Sequence, residues 1–330
     1  MSTTAVTEVS QDLFLVEVPL PNNVLRIINC YIIRGETRSL LIDTGFDLPV
    51  SEATICSALN VLGISHADLD FFITHQHSDH VGASHRIAAE NAQIFCHSTP
   101  KGKSLLSPWD EEEQQRRMRN MMKDIAPVIS GQNAVSPAPF DRAPYRWEPP
   151  VQGFTRVDEG DRLSYGPYSF RCVETPGHCD THCCLYDEAT GVFLSGDHVL
   201  QTISPNIADI DYKSRRLEKY LNSLEKVKNY PVSVVLPAHG ACFQDLKARC
   251  EELADHHRDR LALILNLVES GYDTISQIAE HCRWNTDGVS WENLDPGIKF
   301  FAHAETLAHV SYLLSNGALV MSDNERFLIT

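Results

Sequence analysis

Phe71-Phe72-Ile73-Thr74-His75-Gln76-His77-Ser78-Asp79-His80-Val81-Gly82 decides how this chain is to be read. The apolar run from Phe71 to Ile73 reads as the end of a buried strand, and three imidazoles and a carboxylate follow within six positions. Side chains alternate along extended backbone, so His75 and His77 point the same way. Asp79 and His80 follow as the chain turns into a helix expected to start near Val81. The four side chains then face two points in space rather than one, which suggests two ions. A lone histidine is usually a satisfied core or surface residue, whereas H-x-H-x-D-H behind a strand has the donor density of a metal site.

This segment resembles the signature of the metallo-β-lactamase superfamily. The resemblance implies an α/β protein, an αββα sandwich with a metal site at one edge of two packed sheets, and it makes demands on the rest of the chain. Upstream, Leu13–Val18, Arg26–Ile33 and Ser39–Ile42 alternate or run apolar between turn residues, as an antiparallel meander would. The last strand runs into Asp43-Thr44-Gly45. That triplet alone could be a common turn; by resemblance Asp43 accepts hydrogen bonds from behind the metal loop. Pro49–Leu62 has helical spacing, with Ile55, Ala58, Leu59 and Leu62 on one face and Gly63 as the stop. Downstream, expected strands end in Thr175-Pro176-Gly177-His178, in Ser195-Gly196-Asp197-His198 and in Pro237-Ala238-His239-Gly240. Each tetrapeptide is weak alone. In this order, each behind a strand, they fit the family.

The resemblance assigns His75, His77 and His178 to one ion, Asp79, His80 and His239 to the other, and Asp197 between them. His198 is expected to pack. Imidazole and carboxylate suit zinc, with iron or manganese able to replace it. Two ions ~3.5–4 Å apart would share a water whose pKa falls from about 15.7 to near 7. The hydroxide would attack an electrophilic carbonyl or phosphorus, with Asp79 orienting it or helping to protonate the leaving group. The implied function is a dinuclear-metal-dependent hydrolase of an ester- or thioester-like small molecule, resembling lactamase-beta-2-like or glyoxalase-II-like members. Alternatives are a ribonuclease or phosphodiesterase of the same fold, a mononuclear-iron persulfide-dioxygenase-like enzyme, and a non-catalytic regulatory protein. The carboxylate at Asp197 argues against β-lactam hydrolysis, and His77 in place of Glu argues against a flavodiiron protein.

At 330 residues the chain is long for one domain. The expected division is a catalytic domain over 1–243 and a helical, winged-helix-like domain over 244–330. Residues of about 100–152 are too long for an ordinary loop and carry a charged helix-like piece and a Pro-rich stretch, which reads as an insertion forming a lid. The C-terminal part has three helical stretches, Gln244–Ser270, Thr274–Cys282 and Phe301–Ser315, before a hairpin around Asp323-Asn324. It holds seven Lys and Arg against fourteen Asp and Glu, so 7 − 14 = −7. With a formal charge of −16 overall, this argues against a nucleic-acid partner and for a packing or dimerisation module. No apolar run of membrane-spanning length is present, and Met1–Ser10 lacks the pattern of a secretory signal, so a cytoplasmic location is expected. None of the ten cysteines forms a C-x-x-C pair; most read as buried reduced thiols, with Cys179, Cys183 and Cys184 neighbours of the metals rather than ligands.

Overall fold

The computed structural model describes residues 5–97, 150–209, 212–285, 288–323 and 326–330. The insertion expected as a lid lies outside the described residues, apart from its last three. Two compact units are present. The first gathers described residues from 5–97 with 150–205 and Val227–Arg249, and the second Asn206–Lys226 with Cys250–Thr330.

Unit 1 is built on two sheets. The first has seven strands in chain order: β1 (Val6–Ser10), β2 (Leu13–Pro19), β3 (Ile27–Ile33), β4 (Ser39–Ile42), β5 (Leu69–Ile73), β6 (Ile94–His97) and β7 (Thr155–Val157). Pairing is antiparallel up to β4 and parallel from β4 to β7. The second has five strands, β8 (Arg162–Tyr165), β9 (Tyr168–Glu174), β10 (Cys183–Asp187), β11 (Val192–Gly196) and β12 (Val234–Pro237), with only the last pair parallel. β1 is an edge strand with Thr7 and Glu8 exposed, and its polar pattern does not announce it in the sequence.

Alternation along the strands builds two cores. In β3, Ile28, Cys30 and Ile32 join one cluster with Ile55, Ala58 and Leu59 of α1 (Pro49–Leu62), while Tyr31 and Ile33 face the other way. That second cluster holds residues of both sheets, among them Ile42, Phe72, Phe170 and Leu194. Removing a Leu or Ile side chain of this kind from water contributes roughly 1.5–3 kcal/mol, so the strand ends are fixed by the packing behind them. α1 runs as predicted and ends where Gly63 turns left-handed at φ 68°.

The helix expected near Val81 starts earlier and is broken. α2 (Ser78–Val81) is one turn, followed by α3 (Ser84–Ile87). Gly82 lies so close to the D-T-G loop that a Cβ there would meet the Asp47 nitrogen at 2.6 Å and the Gly45 oxygen at 2.8 Å. The Ala83 N–H donates to that same Gly45 oxygen at 3.0 Å. A continuous helix is given up so that the metal loop can be stitched to the end of β4.

Unit 2 contains α4 (Arg216–Val227) up to Lys226, α5 (Leu246–Glu269) from Cys250 onward, α6 (Ile275–His281), α7 (Pro296–Ser315) and the hairpin β13 (Leu319–Met321) with β14 (Phe327–Ile329). Its core brings together Ile264, Val268, Ile278, Val310, Leu313 and Phe327. α7 begins five residues before the predicted Phe301, because Asp295 caps it through the Gly297 N–H at 2.7 Å and Pro296 occupies its first turn. No described helix is long and apolar enough to cross a membrane.

Candidate metal centre

Every residue the sequence singled out for the site lies in unit 1, at the ends of β4, β5, β9, β11 and β12. The parallel pairs β4–β5 and β11–β12 end on the same edge, so loops far apart in sequence meet there. His75 and His80 are fully buried, Asp197 and His239 nearly so, and His77 faces solvent. Three overlapping groups form: His75, His77 and His178; His75, His80 and Asp197; Asp79, His80 and His239.

Around Asp79 and Asp197 the separations are those of donors around an ion rather than of donors bonded to each other. His80 Nε2 lies 3.5 Å from Asp197 Oδ2 and 3.8 Å from Asp79 Oδ2. His239 Nε2 is 3.5 Å from Asp197 Oδ1 and 3.6 Å from Asp79 Oδ2, and His178 Nε2 is 3.6 Å from Asp197 Oδ2. Four ligands placed tetrahedrally at ~2.0–2.1 Å from zinc sit roughly 3.4 Å apart. On the other side His77 Nδ1 is 2.8 Å from His75 Nε2 and 2.9 Å from His178 Nε2. His80 Nε2, Asp197 Oδ1 and His239 Nε2 are buried and have no hydrogen-bond partner. A buried polar atom left so is costly, and three aimed at one space fit divalent ions.

Asp43 holds this arrangement from behind. Its backbone is left-handed at φ 57°, and its carboxylate accepts from the Thr74 N–H at 2.9 Å and the Thr74 hydroxyl at 2.8 Å. His80 Nδ1 lies 2.8 Å from Asp43 Oδ2, so the ring donates there and presents Nε2 to the site. His239 is fixed likewise, its Nδ1 donating to the Ile27 carbonyl at 2.9 Å.

Charges follow this placement. Burial opposes protonation of His80, but the carboxylates of Asp43, Asp197 and Asp79 outweigh it and hold the imidazole well above its usual pKa. His75, buried among other imidazoles, is pushed well below. Burial raises Asp197, yet His239 and His80 together carry it well below the usual carboxylate range.

One residue that sequence reading missed is His182. It is fully buried, and its Nε2 accepts the Asp197 backbone N–H at 3.0 Å, so the proton sits on Nδ1 and is donated to Thr175 Oγ1 at 2.7 Å. Thr175 contacts Cys184 Sγ at 3.2 Å, and that thiol donates to the Ser195 carbonyl at 3.4 Å. The circuit therefore returns to the loop it left, tying the Asp197 turn to the His178 loop. Gly196 is required there twice: its φ is 51°, and a Cβ would meet His182 Nε2 at 2.7 Å. Cys183 and Cys184 are buried in strand β10, and no cysteine belongs to any metal-compatible group among the described residues. His198 is buried, its ring 6.1 Å from that of His182.

A β-sandwich with imidazole and carboxylate groups for two ions at its strand ends defines a metal-dependent hydrolase with a dinuclear centre. Residues 24–239 match the metallo-beta-lactamase superfamily, and the chain belongs to it. It is similar to the probable metallo-hydrolase YqjP of Bacillus subtilis, 22% identical over 94% of both chains. A solved metallo-beta-lactamase family protein of Thermus thermophilus, TTHA1429, is 27% identical with a TM-score of 0.77, over 97% of this chain and 99% of that one. A beta-lactamase domain protein from Burkholderia ambifaria shares the fold at 23% identity and a TM-score of 0.78, over 100% of this chain and 94% of that one. The αββα sandwich with additional C-terminal helices is thus the architecture of this protein.

Proposed function

We propose that the centre hydrolyses an ester- or thioester-like small molecule, with His75, His77 and His178 holding one ion, Asp79, His80 and His239 the other, and Asp197 reaching both. The observation that carries this reading is the convergence of His80 Nε2, Asp197 Oδ1 and His239 Nε2, buried and without partners, on one space. Zinc fits this donor set, and iron or manganese could take its place. Bound there, two such ions would supply a water acidified toward a pKa of about 7 and would polarise the scissile carbonyl.

The chain's own groups set the rest. Asp43 keeps His80 in one tautomer. Asp79 Oδ2 lies within 3.8 Å of both His80 Nε2 and His239 Nε2. It is placed to orient the attacking water and to return a proton to the leaving group. The formal charge of −16 over the whole chain favours a small or neutral substrate over a polyanion. Three helices before a two-stranded hairpin support a winged-helix-like reading of the C-terminal part, in the manner of lactamase-beta-2-like members.

The test is a screen of purified chain of known metal content against thioesters, phosphodiesters and RNA. Thioester turnover that chelation abolishes and Asp79→Asn cuts by at least ~100-fold is expected, the scale of losing a positioned acid–base group. Turnover confined to RNA, or oxygen consumption with about one iron per chain, would replace this reading with a ribonuclease or a persulfide-dioxygenase-like enzyme.

A further inference from the structure

A second cluster of ligand-type side chains lies wholly within unit 2 and shares no residue with the strand-end centre. We propose that His256 and His257 of α5 and Glu305 of α7 form a separate site for a divalent ion of the zinc class.

The protons in this cluster can be placed by elimination. His309 Nδ1 lies 2.7 Å from the Glu305 carbonyl oxygen, which can only accept, so Nδ1 carries the hydrogen. His309 is fully buried, where an uncompensated charge is costly, so the ring is neutral and its Nε2 is bare. That nitrogen sits 3.0 Å from His257 Nδ1, which must then be the donor. His257 is fully buried as well, so its ring is likewise neutral and its own Nε2 keeps a lone pair. It has no hydrogen-bond partner. The relay thus does for His257 what outer partners do for metal-ligating histidines: it fixes the tautomer and aims the lone pair.

His257 belongs to a donor set. One nitrogen of His256, one of His257 and a carboxylate oxygen of Glu305 all lie within 4.8 Å of one another. Glu305 is 8% exposed, and Arg260 pairs with its Oε1. Arg260 is itself held over Trp284, with its guanidinium carbon 4.4 Å from the ring centroid. The carboxylate is therefore anchored through one oxygen and has a second to offer. Two imidazoles and a carboxylate suit a borderline ion and leave a fourth position for water. The positive charge left over is carried in a segment of net charge −7, from 7 − 14. Such an ion would cross-link α5 to α7.

The experiment uses the full chain, stripped with chelator, reloaded with zinc, freed of excess and analysed for metal. Three ions per chain are expected for the wild type and two for His257→Gln, with His256→Gln, at a less buried position, as the parallel variant. A His75→Ala/His80→Ala chain should still hold one ion, raise its Tm on adding zinc, and lose both properties when His257→Gln is added. A wild type saturating at two ions, with none left in His75→Ala/His80→Ala, would overturn the proposal. So would three ions in wild type and in both single variants. Should the variants fail to fold, anomalous scattering from zinc-loaded wild-type crystals decides the matter: a peak between His257 and Glu305 is expected, and none there would overturn the proposal.

Discussion

The strand-end centre and the α5–α7 cluster each group a carboxylate with a histidine that has a buried, unpartnered ring nitrogen, yet they orient that imidazole by opposite means. His80 donates to the Asp43 carboxylate at 2.8 Å, whereas His257 donates to the neutral ring of His309 at 3.0 Å. The first arrangement adds negative charge and lifts the pKa of His80; the second adds none, and burial lowers that of His257. A carboxylate behind a histidine makes it a stronger base and ligand. An imidazole behind a histidine only sets its direction. The first arrangement suits ions that must stay bound through turnover, the second an ion that braces two helices.

Asp43→Asn tests this contrast most severely. It keeps the shape but removes the charge, so zinc affinity at the strand-end centre should fall about 100-fold, the upper end for outer-sphere partners, with the α5–α7 site unchanged. Equal losses at both sites, read by competition with a chelating dye, would break the comparison. His309→Leu is its counterpart and should cost only the α5–α7 site about tenfold. Within the strand-end centre, His182→Ala leaves the buried Asp197 N–H without an acceptor, a penalty of roughly 1–3 kcal/mol. Weaker binding of one ion should follow, while His182→Gln, whose oxygen can take the place of Nε2, should restore it. Unchanged ion binding in His182→Ala would show that the His182 circuit does not position Asp197.

The smallest expected effect is on the pH dependence of the metal-free chain. His80 is raised above its unfolded value of about 6.5, so its contribution to stability is complete below that pH and is lost as pH rises through the folded value. His257 is depressed, so its contribution is present above about 6.5 and is lost as pH falls. Each proton can contribute at most ~1.4 kcal/mol per pH unit. Urea unfolding across pH should show the alkaline limb flattened by His80→Gln and the acid limb by His257→Gln. The reverse pairing would contradict the tautomers assigned above.

What could be read in advance divides along the same line. H-x-H-x-D-H sits in consecutive positions after a strand, and the remaining site motifs each close a strand whose apolar pattern is local, so the strand-end groups were legible. The α5–α7 group was not. His256 and His257 stand in a helical stretch like any other polar pair, and Glu305 and His309 come from a different helix with nothing nearby to link them. His182 escaped for a related reason, since a histidine between two strands looks the same whether it packs or supports a ligand. The start of α7 was hidden by Asp295-Pro296-Gly297, residues that favour a turn in sequence and here supply a cap and a first turn.

Anomalous diffraction from zinc-loaded crystals tests the central claim most directly. Two peaks about 3.5–4 Å apart are predicted at the strand ends. One should be ringed by His75, His77 and His178, the other by Asp79, His80 and His239, with Asp197 between them. A single peak there, or none, would contradict the dinuclear centre.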